Sequence, residues 1–130
     1  MFYSTAAKNA ALDAMWGASH GPTMPASGEF GLLTSDPRFG TVDEATYPGY
    51  ARVPFTNDAT AWNAAADGVK RSTLQTFPDS TGVGDTSTHW AIFVAGALYD
   101  FGPLSEPISI TGAGAGPAIR VRLRFNDRLA

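Results

Sequence analysis

The sequence predicts a mainly β protein: an antiparallel β-sandwich, jelly-roll-like, with one short N-terminal helix. Three observations lead there. Fourteen glycines and nine prolines are scattered through 130 residues, so turns interrupt the chain at short intervals. Apolar residues between those turns alternate with a period of two or form short unbroken runs, as strands do. A helical period occurs only near the N-terminus. Many short strands with turn signals and one terminal helix fit a sandwich or jelly roll. The expected organisation is one domain over residues 1–130, with a helix at about 5–16 and strands from about 29 to 126.

The elements follow in order. Ser4 is a plausible N-cap for "TAAKNAALDAMW", a segment rich in strong helix formers. Leu12, Met15 and Trp16 fall on one side of that helix, and Gly17 can end it. "HGPTMPASG" is a loop. "EFGLLT", Glu29 to Thr34, is a short apolar strand stopped by the turn formers Asp36 and Pro37. "GYARVPF", Gly49 to Phe55, alternates, but Pro54 cannot donate to a ladder and so suggests an edge or a bulge. "GVKRSTLQTF", Gly68 to Phe77, is a weaker strand with Val69, Arg71, Thr73, Gln75 and Phe77 on one face. "HWAIFVAGALYDF" is the strongest apolar run, either two strands about Ala95-Gly96 or one bent strand. "PISI" follows a Gly-Pro turn. "PAIRVRLRF" alternates strictly, with Ile119, Val121, Leu123 and Phe125 on one face and Arg120, Arg122 and Arg124 on the other.

Composition bounds the function. A net charge of −3 does not advertise nucleic-acid binding. The absence of cysteine removes disulfides and thiolate metal sites. The N-terminus lacks the basic start and apolar core of a signal peptide, and no run is long and apolar enough to span a bilayer. A soluble protein made in a cytoplasm, contacting neither nucleic acid nor membrane, is expected.

Catalytic constellations are poor. Ser87, His89 and Asp100 lie within one apolar stretch, yet a triad needs a strained nucleophile turn, an oriented base and an oxyanion hole, and no G-x-S-x-G elbow is present. His89 reads as a strand-entry residue bonded to a loop. "GAGAGP" resembles a phosphate loop but precedes an alternating strand, not a helix, so it reads as a strand connection. The two histidines are far apart, and Asp79 and Asp85 in "DSTGVGD" read as solvated loop residues, so no metal and no cofactor is expected. The expectation is a protein that is not an enzyme.

Two features suit an interface. Arg120, Arg122 and Arg124 would stand about 7 Å apart along a strand, a row to meet an acidic surface or a neighbouring protomer unless it is a solvated face. Tyr47, Tyr50 and Trp62 lie outside the strongest strands, where rings either contact a partner or a sugar at the surface, or form satellite core under loops.

The order of segments resembles a family of small tailed-bacteriophage virion proteins, often labelled tail fibre, minor virion or capsid decoration proteins. The resemblance rests on Leu32 to Pro37, Gly49 to Phe55, Thr76 to Pro78, Thr88 to Val94 and Gly96 to Ile110, five short motifs in order across most of the chain. This chain departs from the family pattern in a shorter approach at "YPGYARV" and a shortened "FVAGALYDFGPL". The resemblance implies a β-sandwich virion component and carries over no catalytic residues. The first expectation is a capsid decoration or cement protein, because the chain lacks the repeats and heptads of a self-sufficient fibre. The alternative is a tail fibre or tail-appendage component that binds host-surface glycan. The expected partners are other virion proteins, the major capsid protein or tail proteins, in a homo-oligomer for which a trimer is the first choice.

Overall fold

A computed structural model describes residues 3–125 of the chain. The protein is mainly β, with antiparallel sheets and one helix, as the sequence predicts. The described residues group into two compact units. One takes residues 3–26, 56–73 and 120–125, and the other takes 27–55 and 74–119. The chain passes between them at Ala26–Ser27, Phe55–Thr56, Thr73–Leu74 and Ile119–Arg120.

The first unit is built around α1, Thr5–Met15. Ser4 caps it, its Oγ accepting from Ala7 N at 3.2 Å. Trp16 donates its backbone N–H to Leu12, and Gly17 takes a φ of +102°, where an L side chain is strained. Leu12 and Trp16 are buried, and the Trp16 ring lies 5.5 Å from that of Trp62. Asn57, 2% exposed, ties this unit together. Its Oδ1 accepts from Gly17 N at 2.6 Å, and its Nδ2 donates to the carbonyls of Met15 and Pro25.

Residues 27–55 and 74–119 hold a four-stranded sheet. It uses β1 (Ser27–Leu33), β2 (Val53–Thr56), β5 (Thr86–Val94) and β6 (Ala97–Ser109) in the order β2-β1-β5-β6. β1 and β5 pair antiparallel, with Phe30 opposite Ile92 and Leu32 opposite Trp90. Phe30, Leu32, Trp90 and Ile92 therefore share one face. Leu33, Ala91 and Phe93 share the other, backed by Leu98 and Phe101. Both faces of the central pair are buried, which explains why these strands read as unbroken apolar runs. β5 and β6 form a hairpin. Ala95 and Gly96, at φ +51° and +83°, make the two-residue turn whose twist matches that of the strands. Gly102 faces Trp90, and a Cβ at that position would stand 2.6 Å from the indole.

Several expectations change in detail. β6 runs unbroken from Ala97 to Ser109, so Gly102-Pro103 lies inside a strand and makes no turn before "PISI", and Gly49 to Phe55 is strand only from Val53, as β2. Gly68 to Phe77 is not one strand but two short ones, β3 (Lys70–Arg71) and β4 (Gln75–Thr76). The C-terminal strand likewise divides into β7 (Ala118–Ile119) and β8 (Arg122–Leu123); residue 126, where strands were expected to end, lies outside the described residues. β3 pairs β8, and β4 pairs β7. Ser72 limits the β3–β8 ladder. Its backbone N–H donates to Val121 O, but Val121 N–H bonds the Ser72 hydroxyl at 2.8 Å instead of a carbonyl. Among the described residues no helix is long and apolar enough to cross a membrane.

Candidate functional site

The sheet separates the residues that sequence alone left within reach of one another. Asp100 pairs with Ile92 and so stands on the Trp90 face, while His89 stands on the face of Leu33 and Ala91. Ser87 is 2% exposed. His89 bonds Thr88 Oγ1 through Nδ1 at 2.8 Å, and its Nε2 lies 3.7 Å from Asp36 Oδ2. Asp79 and Asp85 do not converge as ligands. Asp79 accepts from Gly116 N, and Asp85 accepts from the backbone and hydroxyl of Thr46, so each pins a loop. In the "GAGAGP" segment, Gly114 bridges Ser80 and Gly112 O accepts from the Ser80 hydroxyl.

Two of the three aromatic candidates are buried and the third partly so. Trp62 and Tyr47 are each 2% exposed, and Tyr50 is half-buried. Trp62 packs on Trp16 as core. Tyr47 meets Tyr50 edge-on and donates its hydroxyl to Pro78 O, and the Tyr50 ring stacks on Phe77. These rings fill the space under loops that are too irregular to bury backbone, which is why strand periodicity did not mark them as core. Tyr47 and Trp62 thus sit as core rings under loops.

Tyr50 belongs to a polar cluster of the second unit. Arg52 grips Glu44 in a bidentate fork, Nε and Nη2 each 2.9 Å from a carboxylate oxygen. The Tyr50 hydroxyl donates to Glu44 Oε2 at 2.6 Å. Arg52 also lies 3.5 Å from Glu29 Oε1, and its guanidinium carbon stands 3.6 Å above the centre of the Phe93 ring. Burial pushes the Glu44 carboxyl up, but the hydrogen bonds from Arg52 and Tyr50 outweigh it and hold the group below its ordinary value. Burial and the Glu44 carboxylate push the Tyr50 phenol well above its ordinary value. A carboxylate so held stays ionised at neutral pH, and its bonds tie Tyr50 and Arg52 together.

The arginine row survives the division of the strand. Burial still alternates: Ile119 and Val121 are buried, Leu123 and Phe125 partly so, and Arg120, Arg122 and Arg124 are exposed. None of the three forms an ion pair among the described residues, although the chain carries twelve carboxylates.

One further surface feature escaped the sequence reading. Phe39 is 84% exposed at the tip of a loop that is otherwise tied down. Asp36 caps the 3₁₀ turn Pro37–Phe39 by accepting from Arg38 N, and the Arg38 side chain folds back to bond both Asp36 oxygens. The Arg38 hydrogen bonds lower Asp36 to about 2. At the neck, Asp43 accepts from Thr34, Ser35 and Thr41. The "SDPRF" turn signal was legible; that its aromatic would face solvent was not.

Comparison with curated proteins finds no match. A family model described as "Podophage GP4 fiber I protein gp80" matches residues 3–114, a span that holds α1, the four-stranded sheet and the Phe39 loop and stops before β7. On that match, which covers most of the sequence, the chain belongs to the Podophage GP4 fiber I protein gp80 family.

Proposed function

We propose that this phage virion structural protein is a component of the tail-fibre apparatus and works by protein–protein contact without catalysis. The observation that carries this reading is the family match over residues 3–114, whose description names a fibre. It puts the fibre ahead of capsid decoration, which rested on small size and the lack of repeats. The geometry supports a contact role. Arg120, Arg122 and Arg124 are exposed and lack intramolecular carboxylate partners among the described residues. They present guanidinium forks suited to an acidic face of a neighbouring virion protein. The absence of catalysis is supported by the opposite faces taken by His89 and Asp100 and by the structural engagement of Glu44, Asp79 and Asp85. Glycan binding through Tyr47 or Trp62 loses its basis with their burial.

The test is the position of the chain in the particle. Virions carrying an epitope-tagged copy, imaged by electron microscopy with gold-labelled antibody, should show label on the tail. Label distributed over the capsid shell would restore the decoration reading.

A further inference from the structure

We propose that Phe39 of one copy docks into a socket on a second copy of this chain, beside Asp13, in a head-to-tail contact; the proposal rests on the fibre reading only for its setting in a repeated assembly.

The knob is built before it is used. A phenyl ring 84% exposed is unfavourable in water, and here it stands on a loop fixed at its tip by Asp36 and Arg38 and at its neck by Asp43. Such a ring loses little conformational freedom on docking, so most of its burial goes to binding. The Arg38 guanidinium lies 5.4 Å from the ring centre and would travel with it.

The socket lies within the first unit. It is a cavity of about 160 Å³ with Trp62 and Lys70 at its base and with Ala18, Ala59 and Ala64 among its lining. All three alanines are exposed, so the mouth is edged by methyl groups, and a larger side chain at any of them would narrow it. The size suits a phenyl ring, since a protein cavity of about 150 Å³ is enough to admit benzene.

Charge fixes the orientation. Asp13 also lines the cavity, and its side chain is 35% exposed. Its Oδ1 accepts from Lys70 Nζ and Ala65 N, and its Oδ2 accepts from no donor among the described residues. Arg38 uses Nε and Nη2 on Asp36, leaving Nη1 unengaged among the described residues. With the ring in the socket, Arg38 Nη1 meets Asp13 Oδ2, pairing the spare donor of the knob with the spare acceptor of the rim.

Each copy carries one knob and one socket, so the contact is heterologous and propagates into a ring or a row. A single aromatic anchor buries far less than the roughly 1,000 Å² of a stable interface, so the pair alone is weak and gains strength by repetition.

Sedimentation equilibrium of the purified chain tests this. Wild type should rise in mass with concentration, with a Kd between about 10 μM and about 1 mM. Phe39→Ser, which lacks the knob, and Ala64→Trp, which fills the socket, should each remain monomeric. Mixed in equal amounts, they should form a dimer and stop there, because each supplies the half that the other lacks. A melting curve checks each fold, and Ala59→Trp stands in should Ala64→Trp unfold. The proposal is overturned by a wild type that is monomeric at about 1 mM, by unchanged association in Phe39→Ser, or by a mixture without dimer. These outcomes are independent of the labelling of particles, so a failure here leaves the fibre reading standing, and capsid label leaves this contact standing.

Discussion

The hydroxyl of Tyr50 stands 2.6 Å from Glu44 Oε2 and 3.1 Å from the backbone nitrogen of Leu32, so one side chain joins a buried strand to an ion pair. Leu32 gives its carbonyl to Ala45 N in ordinary ladder fashion, and its N–H goes to the phenol instead of a carbonyl. The hydroxyl therefore completes the hydrogen bonding of β1 where the neighbouring backbone does not. Tyr50→Phe strips the Leu32 N–H of its partner and removes one of the two donors to Glu44 Oε2, which keeps Arg52 Nε. Unfolding in urea should show a loss of about 1–3 kcal/mol. A variant as stable as wild type would mean that the phenol is dispensable to the strand.

Acid stability follows from the same cluster. Glu44 is held below its ordinary value of 4.5. Asp36, Asp13 and Asp58 are also lowered from 3.8, Asp36 to about 2 through its hydrogen bonds with Arg38. Groups with depressed folded values add stability above their unfolded values and lose it as pH falls through the folded ones. The urea midpoint should thus be level between pH 7 and about 5 and fall steadily below about 4.5. Glu44→Gln should flatten the upper part of that fall. An identical acid limb in the variant would remove Glu44 from the account.

Asn57 makes a sharper structural prediction. It satisfies one backbone donor and two backbone acceptors from the helix end and the following loop, and it is buried while doing so. Asn57→Ala strands all three groups and should cost about 2–4 kcal/mol. Calorimetric melting would read this as a large drop in Tm; a shift of a degree or less would contradict it.

The central strands were legible because burial on both faces leaves an unmistakable mark: "EFGLLT" and "HWAIFV" read as strands and are β1 and β5, whose pairing only the structure reveals. The helix, its Ser4 cap and its Gly17 stop were legible from local chemistry alone. What sequence did not reveal came from pairing at a distance. Asp67-Gly68 is a two-residue turn with both φ values positive, closed by Ala66 and Val69, yet its flanks do not alternate and so the signal was passed over. Lys70 is buried against Asp13, 57 residues away in sequence, a pairing that no local pattern marks. Of the two readings open for Tyr47 and Trp62, surface contact or satellite core, burial favours the second, a choice sequence could not make because loops bury rings without any period.

The hairpin turn offers a gain in stability. Ala95 adopts φ +51°, a region that costs a Cβ-bearing residue roughly 1–2 kcal/mol and that asparagine tolerates better. Ala95→Asn turns Ala-Gly into the preferred Asn-Gly pair. Stability should rise by about 0.5–1 kcal/mol, seen as a higher urea midpoint at unchanged slope. A lower midpoint would place the turn in a different conformation.

The arginine row separates folding from assembly. Arg120, Arg122 and Arg124 are exposed and form no ion pair among the described residues, so the fold does not depend on their charge. Substitution of such surface residues changes stability by about 0.5 kcal/mol or less. The Arg120→Gln/Arg122→Gln/Arg124→Gln variant should therefore melt close to wild type. If the row meets an acidic virion surface, the same variant should be depleted from assembled particles. Wild-type attachment should weaken as salt rises past about 0.15 M, where screening shortens to about 8 Å. Quantifying the chain in purified virions across a salt series reads both effects. Wild-type incorporation by a normally folded triple variant, with the same salt response, would make the row a solvated face and move the contact elsewhere on the molecule.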